Sequence, residues 1–276
     1  MWFYYFYDYR NEEGVVIMLH YEVHDNNKDN WVVFVHGIGG STKTWKRQID
    51  DFSAKYNLLL LDLHGHGKSE SGGKVSVAMV NDEIKEVMDY LGISKADFVG
   101  MSLGTLVIAQ FAIRYPQYVG SIVLGGAVLK VEGIYKCGMW LANHIKHMLP
   151  SHMTYSMFAN IVIPAKWHKK SRKIFLSESK KLTRESFLSW MEYLSVSLHP
   201  KDMVEKLKAL KIKIFFISGD RDTCFIDGVK HIVDELKNSK LKILENCGHV
   251  CTIERSQDFN KEALLFFDKQ HLYYAS

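Results

Sequence analysis

Five residues offer the clearest chemistry in this chain: Gly100, Met101, Ser102, Leu103 and Gly104. A short apolar strand pattern over residues 96–99 precedes them. A helical pattern over residues 103–114 follows, with Leu106, Val107, Gln110, Phe111 and Arg114 at helical spacing. A Gly-x-Ser-x-Gly run between a strand and a helix predicts a turn so tight that the serine takes strained backbone angles. The flanking glycines leave room for strand and helix to approach. The hydroxyl then stands above a sheet at the positive end of a helix, where it can attack a carbonyl carbon. Such a serine needs a base, an acid to orient that base, and donors for the oxyanion. Two later strand patterns each end in a polar loop. The first ends in Gly219-Asp220-Arg221-Asp222 and the second in Asn246-Cys247-Gly248-His249. An aspartate and a histidine leaving adjacent strand ends can meet over the serine turn.

The elements that must hold these groups alternate along the chain, which predicts an α/β fold with a mostly parallel central sheet and helices on both faces. Residues 1–10 and 15–23 read as strands joined by a turn at Asn11-Glu12-Glu13-Gly14. The run 31–35 is continuously apolar, as for a strand buried on both faces. Helices are expected over 44–56, 75–91, 228–236 and 259–269, and further strands over 58–61, 121–124, 212–217 and 242–244. The alternation fails over residues 127–205, where helical patterns occur without a strand of the core type. We therefore expect a core of residues 1–126 and 206–276 with an inserted helical lid of residues 127–205, above the carboxyl edge of the sheet, where open α/β sheets bind ligands.

Between residues 127 and 200 there are eleven Lys or Arg against four Asp or Glu, densest around Lys166, Lys169, Lys170, Arg172 and Lys173. A solvated helical surface accounts for this charge; contact with anionic substrates or anionic surfaces is the sharper reading. The whole chain of 276 residues carries a net charge of only +4, too little to suggest a nucleic-acid partner. No stretch approaches the roughly 20 apolar residues of a membrane span. Cys137, Cys224, Cys247 and Cys251 do not make a disulfide framework in a chain this long. The aromatic N-terminus lacks the basic region of a leader. A cytoplasmic, reduced protein is the expectation.

Several motifs in order make the chain resemble the α/β-hydrolase superfamily, in its lidded serine esterase-like branch. His36-Gly37-Ile38-Gly39-Gly40 after a strand is similar to the family's oxyanion loop. Asp62-Leu63-His64-Gly65-His66-Gly67-Lys68-Ser69 resembles its Asp-x-Arg-Gly-x-Gly-x-Ser turn, with His64 in the arginine place. Gly219-Asp220-Arg221-Asp222 resembles the acid loop, and Gly248-His249 followed by Glu254-Arg255 the histidine loop. The chain order Ser, Asp, His is that of the family. Two prolines common in the family are absent here: Ile226 and Asp227 stand near one place and Ser256 in the other.

The resemblance implies Ser102 as nucleophile, His249 as base and Asp222 as acid, with Asp220 and Asp227 as alternative acids. It implies that the backbone N–H groups of Ile38 and Leu103 receive the oxyanion. The implied reaction is hydrolysis of a carboxylic ester or related acyl bond through an acyl-enzyme. Thioester hydrolysis, carbon–carbon bond hydrolysis or lyase chemistry on the same residues, and a ligand-sensing receptor, are the alternatives. No cofactor is implied. His64-Gly65-His66 and the run Cys247 to Cys251 could suggest a metal, but neither has partner ligands at useful spacing. Asp62 is expected to hold its own turn by hydrogen bonds to backbone N–H groups.

Overall fold

Val32, Val33, Phe34 and Val35 are all buried, and so are Leu58, Leu59, Leu60 and Leu61, so these two runs have no polar face. In a computed structural model, which describes residues 19–71, 74–130, 151–163, 168–179, 181–197 and 200–274, they form strands β2 (Trp31–Val35) and β3 (Asn57–Leu61). Their side chains alternate between two cores. Val33, Val35, Leu59 and Leu61 join one cluster, while Val32, Phe34, Leu58 and Leu60 join the other. The sheet therefore separates two hydrophobic layers, and helices must cover both.

β1 (Tyr21–His24), β4 (Ala96–Met101), β5 (Val119–Gly125), β6 (Lys213–Gly219) and β7 (Ser239–Leu244) complete a seven-stranded sheet of order β1-β3-β2-β4-β5-β6-β7. β1 runs antiparallel to β3, and every other neighbouring pair is parallel. One face carries α2 (Val77–Tyr90), α3 (Leu103–Arg114) and α8 (Ile226–Glu235), whose Ile84, Leu106 and Val229 enter the first cluster. The other carries α1 (Ile49–Ser53) and α10 (Ser256–Tyr274), whose Phe52, Phe259 and Phe267 enter the second. Between β5 and β6 the described residues form α4 (Ser151–Val162), α5 (Lys169–Ser179), α6 (Arg184–Ser197) and α7 (Pro200–Lys208). Tyr155, Phe158, Phe187 and Trp190 from these helices belong to the first cluster, so they pack on the sheet's own core. A one-turn helix, α9 (Cys251–Glu254), precedes α10.

The chain passes from β2 to β3 on one side and then returns to place β4 on the other side of β2. The loops leaving β2 and β4 thus diverge at a topological switch point, which opens a crevice at the carboxyl ends of these strands. His36 to Gly40 leave the first strand and Ser102 leaves the second.

Two expectations are adjusted. Residues 44–56 do not form one helix: a 3-10 turn, Thr42–Trp45, is followed by the short α1. Tertiary bonds interrupt it. Asp62 Oδ1 accepts the Thr42 N–H, the Trp45 ring is buried in the core, and the buried Gln48 reaches Thr252 O and Asn260 Oδ1. The last strand begins at Ser239, three residues earlier than its apolar pattern, because it lies at the sheet edge and half its side chains meet solvent. The strand expected over residues 1–10 lies outside the described residues, and that over 15–23 is described only from residue 19, with β1 in its last part and one residue beyond. No helix among the described residues is long and apolar enough to cross a membrane.

Candidate active site

Ser102 sits between β4 and α3 with φ 53° and ψ −119°, a left-handed conformation that costs a non-glycine residue of order 1–3 kcal/mol. The surroundings impose it. A side chain on Gly104 would overlap the carbonyl of Val35, and one on Gly100 would stand 3.0 Å from the backbone of Gly104. Only with both glycines can α3 start this close to β2 and β4. The Ser102 N–H donates to Gly125 O at 3.0 Å, and the Thr105 hydroxyl donates to Ser102 O at 2.6 Å, which pins the turn from both sides. Leu103 is the first residue of α3, so its N–H has no acceptor within the helix.

His249 and Asp222 arrive from the ends of β7 and β6. His249 Nε2 lies 2.8 Å from Ser102 Oγ, and His249 Nδ1 lies 2.9 Å from Asp222 Oδ2. With Nδ1 donating to the carboxylate, Nε2 is left to accept the serine proton. His249 and Asp222 are both buried, and the ring of Phe225 packs 5.0 Å from the imidazole. Asp220 is elsewhere engaged: its Oδ1 accepts the Cys247 N–H at 3.0 Å. Burial alone would raise its carboxyl, but the N–H groups of Cys247 and Asn246 and the charge of Arg221 hold it below the usual range. Asp227 is exposed and pairs with Lys230 at 3.3 Å. Of the three aspartates, only Asp222 reaches His249.

Ile38 lines the same crevice, on a loop that folds against the serine. A side chain at Gly37 would come 3.0 Å from Ser102 Cβ. Two buried histidines hold this loop. His36 Nε2 accepts the Leu63 N–H at 3.0 Å and its Nδ1 donates to Gly37 O at 2.7 Å. His66 Nε2 accepts the Gly39 N–H at 3.0 Å and its Nδ1 donates to His64 O at 3.2 Å. Each ring is thus a neutral tautomer with a proton on Nδ1. Burial pushes both below the ordinary histidine value, His66 well below and further by the nearby His36. His64 is spent on Glu83, 2.9 Å away. Asp62 accepts the N–H groups of Thr42 and Lys68 and so holds its own turn. The histidine pair that the sequence offers as a metal motif is therefore part of the scaffold that shapes the loop beside Ser102. Among the described residues no group of three or more His, Cys, Asp or Glu could hold a metal.

The crevice over Ser102 is a cleft floored by Gly37 to Gly40, Ser102 and His249. α4, the residue after it and α5 roof it with Phe158, Val162, Ile163, Ile174 and Phe175. Besides His249, the one ionisable side chain among its described lining residues is Glu178, which pairs with Lys181 at 2.6 Å. The aromatics of this segment, Phe158 among them, suggest an apolar roof from sequence, but which residues line it was not legible. Apolar residues at helical spacing signal a buried face without saying what lies beneath it.

A family model described as the α/β hydrolase fold matches residues 30–143. The chain is 28% identical over 291 residues to a 2-hydroxy-6-oxononadienedioate/2-hydroxy-6-oxononatrienedioate hydrolase of Burkholderia vietnamiensis, with 92% of each chain covered. It is 24% identical over 235 residues to 3-oxoadipate enol-lactonase 2 of Acinetobacter baylyi, covering 83% of this chain and 85% of that one. In fold it is similar to a carboxylesterase structure from the thaumarchaeon Nitrososphaera gargenis, with a TM-score of 0.78 at 20% identity over 92% of this chain and 95% of that one. By its sheet order, its strained serine turn and these likenesses together, the chain has the α/β-hydrolase fold.

Proposed function

We propose that the protein is a serine hydrolase that cleaves esters of neutral acyl groups. The observation that carries this reading is the hydrogen-bonded run from Ser102 through His249 to Asp222, beneath an apolar roof. In the reaction, His249 takes the Ser102 proton as Oγ attacks the ester carbonyl. The N–H groups of Ile38 and Leu103 receive the oxyanion. The carbonyl re-forms as the alcohol leaves with the proton from His249. Water then attacks the acyl-enzyme by the same path, and Asp222 keeps the imidazole oriented and stabilises its charged form. The helices between β5 and β6 act as a lid whose roof accepts the acyl chain.

The second reading comes from the relatives. Their names state hydrolysis of a 2-hydroxy-6-oxo-dienedioate and of an enol-lactone, and the same three residues could perform carbon–carbon bond hydrolysis or lactone opening. Those named substrates carry carboxylates. Among its described lining residues the cleft offers such a group no Lys or Arg, only apolar side chains, the Thr44 and Ser171 hydroxyls and the carboxylate of Glu178 beside the catalytic pair, which favours a neutral acyl chain here.

The experiment is a substrate panel: p-nitrophenyl esters from acetate to decanoate, a carboxylate-bearing ester, an enol-lactone and a 2-hydroxy-6-oxodienoate. kcat/KM is expected to rise about fourfold per methylene until the cleft is full, at about 0.8 kcal/mol each. The carboxylate-bearing ester should lag its neutral counterpart, and Glu178→Gln should narrow that gap by about two- to fivefold, the size of a part-exposed charge pair. Efficient turnover of the dienoate with weak ester hydrolysis would replace the ester reading by the second one. Weak turnover of the neutral esters, with the gap between neutral and anionic substrates closing at high salt, would favour the basic segment as an attractor of anions.

A further inference from the structure

Among the bonds that hold the backbone just before His249, two are made by carboxylates. Asp220, from the end of β6, takes the Cys247 N–H at 3.0 Å, and Glu254 Oε2 takes the Gly248 N–H at 2.7 Å. The first anchor belongs to the sheet. The second is itself held from the helical segment: His168, immediately before α5, places Nδ1 2.8 Å from the same Glu254 oxygen. His168 is 5% exposed, although it lies in the densest basic stretch of the sequence. Its ring lies on Gly248, where even a Cβ would overlap it. Its Nε2 and Glu254 Oε1 are buried and have no hydrogen-bond partner among the described residues, so among these the Nδ1–Oε2 contact is what the buried pair is built around. A polar pair that is buried and only partly satisfied is retained at a cost, and the cost here falls one residue from the candidate base.

We infer that His168 is a positioning residue. Through Glu254 and the Gly248 N–H it fixes the height of His249 over Ser102, so that the helical segment between β5 and β6 sets turnover as well as acyl-chain binding. This rests on the proposed role of His249. When the segment is seated, Glu254 Oε2 accepts the Gly248 N–H and is held 2.8 Å from His168 Nδ1 as an ion-pair contact. Without His168, Glu254 keeps only the Gly248 N–H, and the carboxylate that anchors the histidine loop is no longer held from the helical segment. Displacements of about 1 Å at a reacting group cost up to 10²-fold.

The test compares His168→Leu, which removes the donor, with His168→Asn, whose amide can still donate to Glu254. His168→Ala serves if the leucine variant does not fold. With p-nitrophenyl acetate and hexanoate, removal of the donor is expected to lower kcat by about 10- to 100-fold on both esters with KM little changed, and the asparagine variant to regain most of it. Without substrate, the low-field proton NMR resonance of the His249 Nδ1–H···Asp222 bond should shift in the leucine or alanine variant and return in the asparagine one. A change confined to KM for hexanoate, or an asparagine variant no better than leucine or alanine, or an unmoved resonance, overturns the inference. Absence of wild-type turnover on both esters would count against the ester reading alone, since the resonance reports on the positioning without it.

Discussion

At opposite ends of the same parallel sheet a histidine meets a buried aspartate. At the carboxyl end, His249 Nδ1 lies 2.9 Å from Asp222; at the amino end, His271 Nε2 lies 2.6 Å from Asp97. Residue types and distances nearly coincide, yet the surroundings differ. His249 is almost fully covered, and its second nitrogen faces Ser102 Oγ. The His271 side chain is 29% exposed on α10, and it docks that helix to the sheet. Asp97 is further used by the N–H and hydroxyl of Ser121, both 2.7 Å from Oδ1, whereas Asp222 Oδ1 has no partner among the described groups. The Asp97 bond raises His271 above the usual imidazole value, against partial burial. What separates the pair proposed to move a proton from the one that fastens a helix is what the second nitrogen faces. Parallel strands decide this, because their carboxyl ends release loops into one crevice while their amino ends receive helices.

The largest way to break the comparison is to remove the group that His249 faces. Ser102→Ala should leave a folded protein and cost about 10⁴–10⁶ in kcat. A variant with a tenth of wild-type turnover would make His249–Asp222 no more than a second fastening. Next comes the aspartate at each end. Asp222→Asn should slow turnover by about 10⁴, because the imidazole loses its preferred tautomer, with the fold retained. Asp97→Asn should keep kcat and lower the unfolding temperature. Steady-state kinetics beside thermal melts reads both, and loss of kcat in the Asp97 variant would collapse the distinction.

The smallest effect is on pH-dependent stability. A raised histidine contributes stability that is complete below its ordinary value near 6.5 and is lost as pH rises through the raised value. The melting-temperature gap between wild type and His271→Gln should therefore be widest at acid pH and close with rising pH. His36 and His66 work the other way. Burial keeps them neutral, so their contribution is complete above the ordinary value and is lost toward acid. A gap that widens with pH would remove the charged pair from the account.

The carboxyl-end site was legible because each of its parts is local. A glycine-flanked serine between a strand and a helix, and polar loops at strand ends, can be read within a few residues. The same holds for β2, β3 and α3, whose apolar runs and helical spacing have one good physical solution. The rest depends on distance along the chain. His168 and Glu254 meet across more than eighty residues, and neither type announces a partner. His66 reads as half of a metal motif until its Nε2 is found on the Gly39 N–H. The helix expected over residues 44–56 gives way because Thr42 and Gln48 find partners in Asp62, Thr252 and Asn260, which propensity along the chain cannot foresee.

The most direct test of the central claim is to treat the protein with an alkyl fluorophosphonate and locate the adduct by peptide mass spectrometry. One stoichiometric adduct on Ser102 is expected, formed rapidly in the wild type and at least a hundredfold more slowly in His249→Ala, since the serine then lacks its base. No adduct, or one at another residue, or a rate indifferent to His249, would contradict the assignment of Ser102 as an activated nucleophile.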